Sequence, residues 1–545
     1  MAALPFKVLA GVPSTSRVPI VVLCKVSGDV TITLNSGQNI TISPVVFGND
    51  RSVADPGGQT NAGWAGDGAF TGLSAFTRYT YTATQGSNTQ TGSFMTAPLE
   101  NTKFWLSAGG CDNNTGLTNQ GDTEDASKLA TISGSYPLIE AKIKARPNDY
   151  LGFLFLEDIF GYLDGWGGVL GIDDSLGTGR KMDLDGSGNF IVNQYNYALS
   201  YMASMGLLEY DKVIGSNYES CKSIKWGWDE SRNYVHANSN IYPAKGDHDV
   251  YGDYGFAIPY ADPSIAVYVA ASNATWAQVV RPLYSDNILN ASNSECYSVT
   301  LGDIEFCAPD GFTNGTGTVS TYQVPQTQIT SLFGSGQIDD ILTRMQSSTA
   351  KHKILDLPYS IKYMDASQHS EFNDGAQHPL KDHVPLEFAQ LFTASGNTPP
   401  SLMDLSATNG LTGTLAIVKS DFHHAQVTMH ESNSGDIAEH ILELNMGTIN
   451  GSLNFAQDSS IIKGAVFDGS TIEYSQQEDV GSGPTARQFY YVFIENRPST
   501  RPEIYFDLIH GNSGVSKWSG SQFVGFGRNT VKNTLQNTGA LEELL

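Results

Sequence analysis

The sequence predicts a chain in two parts: an all-β sandwich over residues 1–98, then an α/β domain over 99–525 with a C-terminal tail at 526–545. Three observations lead there. From Phe6 to Phe94 short β-type runs alternate with turn residues, and the helical period of about 3.6 is absent. Beyond that point, short runs that are apolar throughout alternate with helix-like stretches, as expected where strands are buried on both faces. A chain of 545 residues also exceeds what one simple core can organise.

Taken in order, Pro19 to Val26, Val30 to Leu34, Ile40 to Val46 and Tyr79 to Ala83 read as strands, separated by Ser-Gly and Asn-Ser-Gly turn signals. Strands of this kind build a sandwich of about 100 residues. The stretch Leu73-Ser-Ala-Phe-Thr-Arg-Tyr-Thr-Tyr-Thr-Ala resembles the Leu…Thr-x-Tyr-x-Tyr segment of fibronectin type III domains, which are Ig-like sandwiches. Thr96-Ala97-Pro98 reads as the linker, with the boundary falling between Thr96 and Asn101. Lys103 to Ala108 and Tyr150 to Leu156 then read as buried strands. Asp125 to Arg146 reads as the helix between them, with Asp125 as its start and Pro147 as its stop. Tyr195 to Leu208 and Gln337 to Met345 are also helix-like. Past Leu442, β signals return at Ile461 to Phe467, Gln488 to Glu495 and Pro502 to Leu508. Val531 to Leu545 reads as a short amphipathic docking helix.

The formal net charge of -25 argues against nucleic acid or an anionic membrane surface as partner. Only 16% of residues are charged, so Gly, Ser, Thr and Asn carry the solubility, a composition common in β-rich extracellular and virion proteins. No run reaches the roughly 18 apolar residues of a membrane span, so no membrane insertion is expected. The N-terminal stretch shows neither a basic segment before an apolar one nor a cleavage site. The expected location is extracellular or virion, with no signal peptide visible. The five cysteines, Cys24, Cys111, Cys221, Cys296 and Cys307, do not make a disulfide framework. Cys296 and Cys307 flank a hairpin turning at Gly302-Asp303, where one bridge or two buried thiols both fit.

The chemistry sits in loops that follow apolar runs. Gly246-Asp247-His248-Asp249 follows Ile241 to Ala244, and Ser420-Asp421-Phe422-His423 follows Leu415 to Val418. Each places a carboxylate and an imidazole just past a strand's C-terminal end, where open α/β sheets hold their ligands. Donors from two such loops can hold two metal ions a few ångströms apart. Upstream stand Ser107-Ala-Gly-Gly-Cys111-Asp112, Leu156-Glu157-Asp158-Ile-Phe-Gly-Tyr162 and Tyr197-Ala-Leu-Ser-Tyr201.

In this order the five segments resemble the alkaline phosphatase D (PhoD-like) family of metallophosphoesterases, as a divergent member. That family begins with a small β-domain and then shows Ser-Cys-Gln, Leu-Gly-Asp-Tyr-Ile-Tyr, Tyr-Arg-x-x-Tyr, Asp-Asp-His-Glu and Gly-Asp-x-His. The resemblance runs from about Pro44 to about Trp518. It implies a metallophosphoesterase-like β-sheet sandwich flanked by helices, and metal-dependent hydrolysis of phosphate mono- or diesters. Cys111 would be a thiolate ligand, Asp158 the carboxylate shared between metals, and Asp247 a ligand to the second metal. Asp421 and His423 would close the shell, and Tyr197 would supply a phenolate, with Tyr195 and Tyr201 as rivals. His248 would stand beside the scissile bond, with Asp249 orienting it. Two or more divalent or trivalent ions are implied, iron or zinc on the thiolate side and calcium on the carboxylates, which would neutralise a phosphate-ester substrate and acidify a bound water.

The departures matter as much. Glu157 stands where the family has Gly, Asp112 where it has Gln, and Ala198 where it has Arg. Cys307-Ala308-Pro309-Asp310 replaces a Leu-Asp-Thr-Arg stretch. Arginines at such places grip phosphate. Their loss keeps a second reading open: a phage virion or tail protein, or another extracellular structural-adhesive protein, that keeps the fold with reduced or no catalysis and acts in a homo-oligomer or virion assembly. Separately, Asp183, Asp185, Ser187 and Asn189 match the opening of a calcium loop. Gln194 stands at the twelfth position in place of Glu, so a glycine-rich turn fits as well. His369, His378 and His383 read either as cleft lining or as surface loop residues, and Trp226 and Trp228 either as a ligand platform or as packing.

Overall fold

The structure is a computed structural model. It describes residues 4–51, 60–110, 134–156, 159, 180, 183, 191–208, 230–246, 249–250, 263–290, 293–311, 316–317, 329–331, 336–357, 413–420, 425–432, 440–446, 466–467, 470–477, 490–511, 514, 516–524, 530–537 and 540–544.

The first part holds β1 (Phe6–Ala10), β2 (Arg17–Cys24), β3 (Val30–Leu34), β4 (Asn39–Ile42), β5 (Val45–Phe47), β6 (Gly63–Thr71), β7 (Arg78–Gln85) and β8 (Asn88–Met95). β7 shows why strands form here: buried Tyr79, Tyr81 and Ala83 alternate with exposed Thr80, Thr82 and Thr84, the period of two of a half-buried strand. The order β4-β3-β7-β8 makes one sheet, and β1, β2, β6 and β5 make the layer facing it. Between them lie Phe6, Val22, Ile32, Phe70, Tyr81 and Phe94. The Tyr79 hydroxyl accepts the Ser74 N–H at 2.9 Å and pins the entry to β7, as tyrosine corners do in β-sandwiches. The single strand expected from Ile40 to Val46 is two strands. Pro44 interrupts the run, so β4 pairs with β3 and β5 with β6 in the opposite layer.

The second part continues with β9 (Phe104–Gly110), α1 (Tyr136–Ala145), β10 (Tyr150–Leu156), α2 (Gln194–Ser204), α3 (Glu230–Ala237), β11 (Asn240–Ala244) and α4 (Pro263–Val279). Next come β12 (Ile288–Asn290), β13 (Asn293–Leu301), β14 (Ile304–Ala308), β15 (Thr316–Gly317), β16 (Ile329–Ser331), α5 (Gln337–Ser347), β17 (His352–Asp356), β18 (Thr414–Lys419), β19 (Ala425–Ser432) and β20 (His440–Met446). The chain ends in β21 (Val466–Phe467), β22 (Ser470–Gln477), β23 (Tyr490–Arg497), β24 (Glu503–His510), β25 (Ser516–Phe523), β26 (Thr530–Asn537) and β27 (Ala540–Leu544).

Two large sheets result, ordered β27-β26-β25-β24-β23-β9-β10-β11-β1-β2-β6-β5 and β12-β13-β14-β17-β18-β20-β19-β22-β21. In the first, β9, β10 and β11 are parallel; in the second, β14, β17, β18 and β20 are. Leu106, Leu154, Tyr242 and Val492 of the first sheet share one core with Phe306, Ile354, Val418 and Leu444 of the second. α1 and α3 cover the outer face of the first sheet, where the Tyr136 and His236 rings meet Phe153. Beside the second sheet α5 buries Ile341, Leu342 and Met345 and sends Arg344 to Glu305 at 2.7 Å. The protein is thus mixed α/β and mostly sheet. Among the described residues, no helix is long and apolar enough to cross a membrane.

The helix expected from Asp125 to Arg146 is seen as α1, with residues 125–133 outside the described residues. The docking helix expected over Val531 to Leu545 is not one. β26 and β27 form a hairpin that extends the first sheet from β25. The edge of β25 gives the backbone of β26 a strand to pair with over Thr530 to Leu535.

The presumed linker is bonded on both sides: the Ala97 N–H donates to the Ser14 carbonyl and the Thr96 hydroxyl to the Ser74 carbonyl. β1 also pairs with β11 at Ala10↔Asn240, so the sandwich layer and the large sheet are continuous. Arg78 secures this join, donating to Pro147 O at 2.9 Å, Asn238 O at 3.0 Å and Ser93 Oγ at 2.6 Å. Arg78→Ala should therefore lower unfolding free energy by about 2–3 kcal/mol; a loss under about 0.5 kcal/mol in urea denaturation would show the join is not held there.

A second expectation concerns acid. His352 is buried against Thr414 Oγ1, and burial pushes its pKa down to about 3. An unfolded histidine titrates near 6.5, so its stabilising effect is complete above about pH 6.5 and is lost as pH falls towards the folded value. Between pH 6 and 4, His352→Gln should flatten the fall of stability with pH by about 1 kcal/mol per unit relative to wild type. Equal slopes in the two proteins would disprove it.

Candidate functional site

Register brings three strand ends into one row. Leu156 of β10 pairs with Gly110 of β9 on one side and with Ala244 of β11 on the other. The next residues in sequence lead to Cys111, Asp158, Asp247 and His248, which lie outside the described residues. From the second sheet, the Ser420 hydroxyl just beyond β18 donates to the Leu156 carbonyl at 2.8 Å. A Cβ on Gly110 would lie 1.3 Å from that same carbonyl oxygen and 2.2 Å from Ser420 Oγ. Only glycine permits this approach. The positions preceding Cys111 and Asp421, and the one two before Asp158, are thus in mutual contact. Asp421 and His423 themselves lie outside the described residues.

The β11 loop is held by its own polar groups. The Gly246 N–H donates to Asp249 Oδ2 at 2.9 Å. Asp249 is fully buried, and its carbonyl accepts from Ser272 Oγ of α4 at 2.6 Å. Tyr197, on α2, is buried and donates its hydroxyl proton to the Val250 carbonyl. The phenolate role expected for Tyr197 would require this bond to break, because a phenolate has no proton to donate. Of its rivals, Tyr201 has a phenol raised above its ordinary range by burial and by nearby Asp249, and Tyr195 carries the Arg51 guanidinium over its ring at 4.9 Å.

Sequence reasoning passed over several residues here. Lys245 follows β11, is buried, and donates to Asn273 Oδ1 at 2.6 Å with its ammonium 4.9 Å from the Trp276 ring centre. Burial lowers its pKa, against the pull of Glu295, Asp310 and Asp249. Asp310, two residues past β14, is buried, and its backbone is bonded both ways to the Gln337 side chain. Asp356 ends β17 with 4% exposure, and burial raises its carboxyl well above the usual carboxylate range. The signal was present: His352-Lys-Ile-Leu-Asp356 is another apolar run ending in a carboxylate.

The calcium-loop reading is described only at Asp183. Its Oδ2 accepts from Asn193 Nδ2 at 2.9 Å, and its backbone is bonded twice to Asn196. Asn193 in turn caps α2 by accepting the Asn196 N–H. Asp183 is therefore tied to the start of a helix, while Asp185, Ser187 and Asn189 lie outside the described residues. His369, His378, His383, Trp226 and Trp228 lie outside them too. Among the described residues, no three His, Cys, Asp or Glu side chains stand together as a metal-holding group. Among them Cys24, Cys296 and Cys307 are free, buried thiols, so the bridge considered for Cys296 and Cys307 is not formed. Ser298 pairs with Cys307, so the two thiols sit on a diagonal of the ladder, where a thiol–thiol hydrogen bond and burial push the Cys296 thiol well above its ordinary range.

In comparisons with known proteins, no family model matches the chain and no curated protein matches it.

The strand-end contact is open to test. Gly110→Ala should destabilise the protein by about 3 kcal/mol or more, since a backbone carbonyl must move to admit the methyl. Ser420→Ala should cost only about 1 kcal/mol, for one hydrogen bond. A Gly110→Ala protein as stable as wild type in guanidinium would mean that β9, β10 and β18 do not meet.

Proposed function

We propose that the protein is a metal-dependent hydrolase of phosphate mono- or diesters, with a metallophosphoesterase-type sheet sandwich behind a fibronectin type III-like module. One observation carries this reading: strand ends from two different sheets, each followed in sequence by residues of types that can bind metal, meet at Gly110, Leu156 and Ser420. Parallel strands converging at their carboxyl ends form the usual place for a catalytic cleft. The donor types fit a mixed pair of ions: thiolate from Cys111 for iron or zinc, and carboxylates from Asp158, Asp247 and Asp421 with the His423 imidazole for the second. Bound metal would supply charge neutralisation of the ester and a water of lowered pKa.

The chain's own part is positioning and proton transfer. Asp249 is bonded back to Gly246, tying together the positions that flank His248 in sequence. From there its imidazole would deliver a proton to the leaving oxygen, or contact the phosphate. Tyr197 holds the far end of the same loop through Val250.

A second reading has an observation of its own. A Cβ on Gly48 would lie 2.5 Å from the Ala198 methyl, so an arginine at 198 has no room in that direction. Position 198 thus carries no guanidinium to grip a phosphate. That favours a virion or extracellular structural-adhesive protein with reduced or no turnover.

Elemental analysis with nitrophenyl phosphate mono- and diester assays separates the two. The hydrolase reading expects bound iron, zinc or calcium and measurable hydrolysis. His248→Ala should lower turnover by roughly a hundredfold or more with metal retained, whereas Asp247→Ala should lose metal and activity together. Fully metallated wild type that cleaves neither ester would leave the structural reading in possession.

A further inference from the structure

Asp356 stands between two points where the sheets touch. Register places it level with Val418 on β18, and the Cys307↔Leu355 pair sets Ala308 of β14 on its other side. Paired residues of neighbouring strands point the same way, so Asp356 shares a face with Ala308 and Val418, both in the inter-sheet core. Ser420, two residues after Val418, also shares that face and reaches the Leu156 carbonyl. On the β14 side, Phe306 meets Tyr242 of the first sheet with ring centres 6.3 Å apart. The carboxyl group is therefore enclosed between the two sheets, one diagonal step from the strand-end junction.

Its described neighbours leave one of its oxygens unpaired. Among the described residues, Asp356 Oδ1 has no hydrogen-bond partner, and neither do the Tyr242 and Tyr297 hydroxyls of the same inter-sheet core. A buried carboxylate without a cation costs several kcal/mol and is kept where something binds it. Three other buried acids are paired with cations: Glu305 with Arg344, Glu443 with Lys419 and Glu295 with Arg281. We infer that Asp356 is an inner-sphere ligand from the second sheet for a hard divalent cation bound at the junction of Gly110, Leu156 and Ser420. The inference rests on the metal-site reading above and adds a ligand to it. An oxygen donor of this kind suits manganese, magnesium or calcium rather than a thiolate-seeking ion.

The test uses the full chain stripped with chelator and titrated with Mn2+ alone, by calorimetry and by the loss of free Mn2+ electron paramagnetic resonance signal. Asp356→Asn is nearly isosteric, and Asp356→Ser is the second variant should the amide disturb packing. Either variant, with circular dichroism matching wild type, should bind Mn2+ at least tenfold more weakly. Unchanged affinity in a folded variant overturns the role of Asp356 and leaves the metal site standing. Wild type that takes up neither Mn2+ nor Zn2+ overturns the metal reading and this inference with it.

Discussion

The close approach of two sheets at their strand ends is the constraint on which the rest of the structure depends. Gly110 has no room for even a methyl group against Leu156 and Ser420. The apolar core behind the junction supplies the force that holds the sheets so close. Fully buried side chains such as Leu154, Ile354, Val418 and Leu444 each contribute roughly 1.5–3 kcal/mol when removed from water. That driving force is non-directional; the register is not. It is set by parallel ladders, which bring the ends of β9, β10 and β11 in the first sheet level with one another and, through Ser420, against the end of β18 in the second.

Burial so extensive makes every enclosed polar group a liability unless it is paired. Around the second sheet the chain meets this with dense networks. Glu305 accepts from Thr300, Arg344 and Ser348, and Glu295 accepts from Tyr284 and pairs with Arg281. Buried Lys419 stands 3.2 Å from Glu443. On the helix side of the first sheet, Lys7 donates to the Met205 carbonyl and to Asn233, while buried His236 stays neutral beside it. Burial is the first cause of the shifted titrations at Lys245, His352 and Asp356, and Asp356 stands out because its Oδ1 has no hydrogen-bond partner among the described residues.

Several elements were legible because their sequence carries a period or a boundary. β7 alternates, α5 places Ile338, Ile341, Leu342 and Met345 on one face, and β10 is apolar throughout. Others had no local signal. β6 reads Gly-Trp-Ala-Gly-Asp-Gly-Ala-Phe-Thr, poor strand material by propensity. It is a strand because β2 pairs with it over eight residues, and because Gly66 and Gly68 let Ile42 of the facing layer come close. α4 went unread because its apolar residues fall all round the helix instead of in a stripe. The tail misled for the opposite reason: its weak helical pattern was outbid by an open sheet edge.

The sequence by itself determined which donors exist and that each follows an apolar run: a thiol at Cys111, carboxylates at Asp158, Asp247 and Asp421, imidazoles at His248 and His423. Those are local facts, written in hydrophobic pattern and turn chemistry. Tertiary structure alone decided that the end of β10 and the end of β18, 264 residues apart, would touch through one hydrogen bond. It also decided that Asp249 would be bonded back to Gly246, that Tyr197 would hold a backbone carbonyl, and that Asp356 would face the other sheet. The reason is physical. A strand's period says which residues share a face, but which face is buried, and against what, is chosen only when two sheets pack.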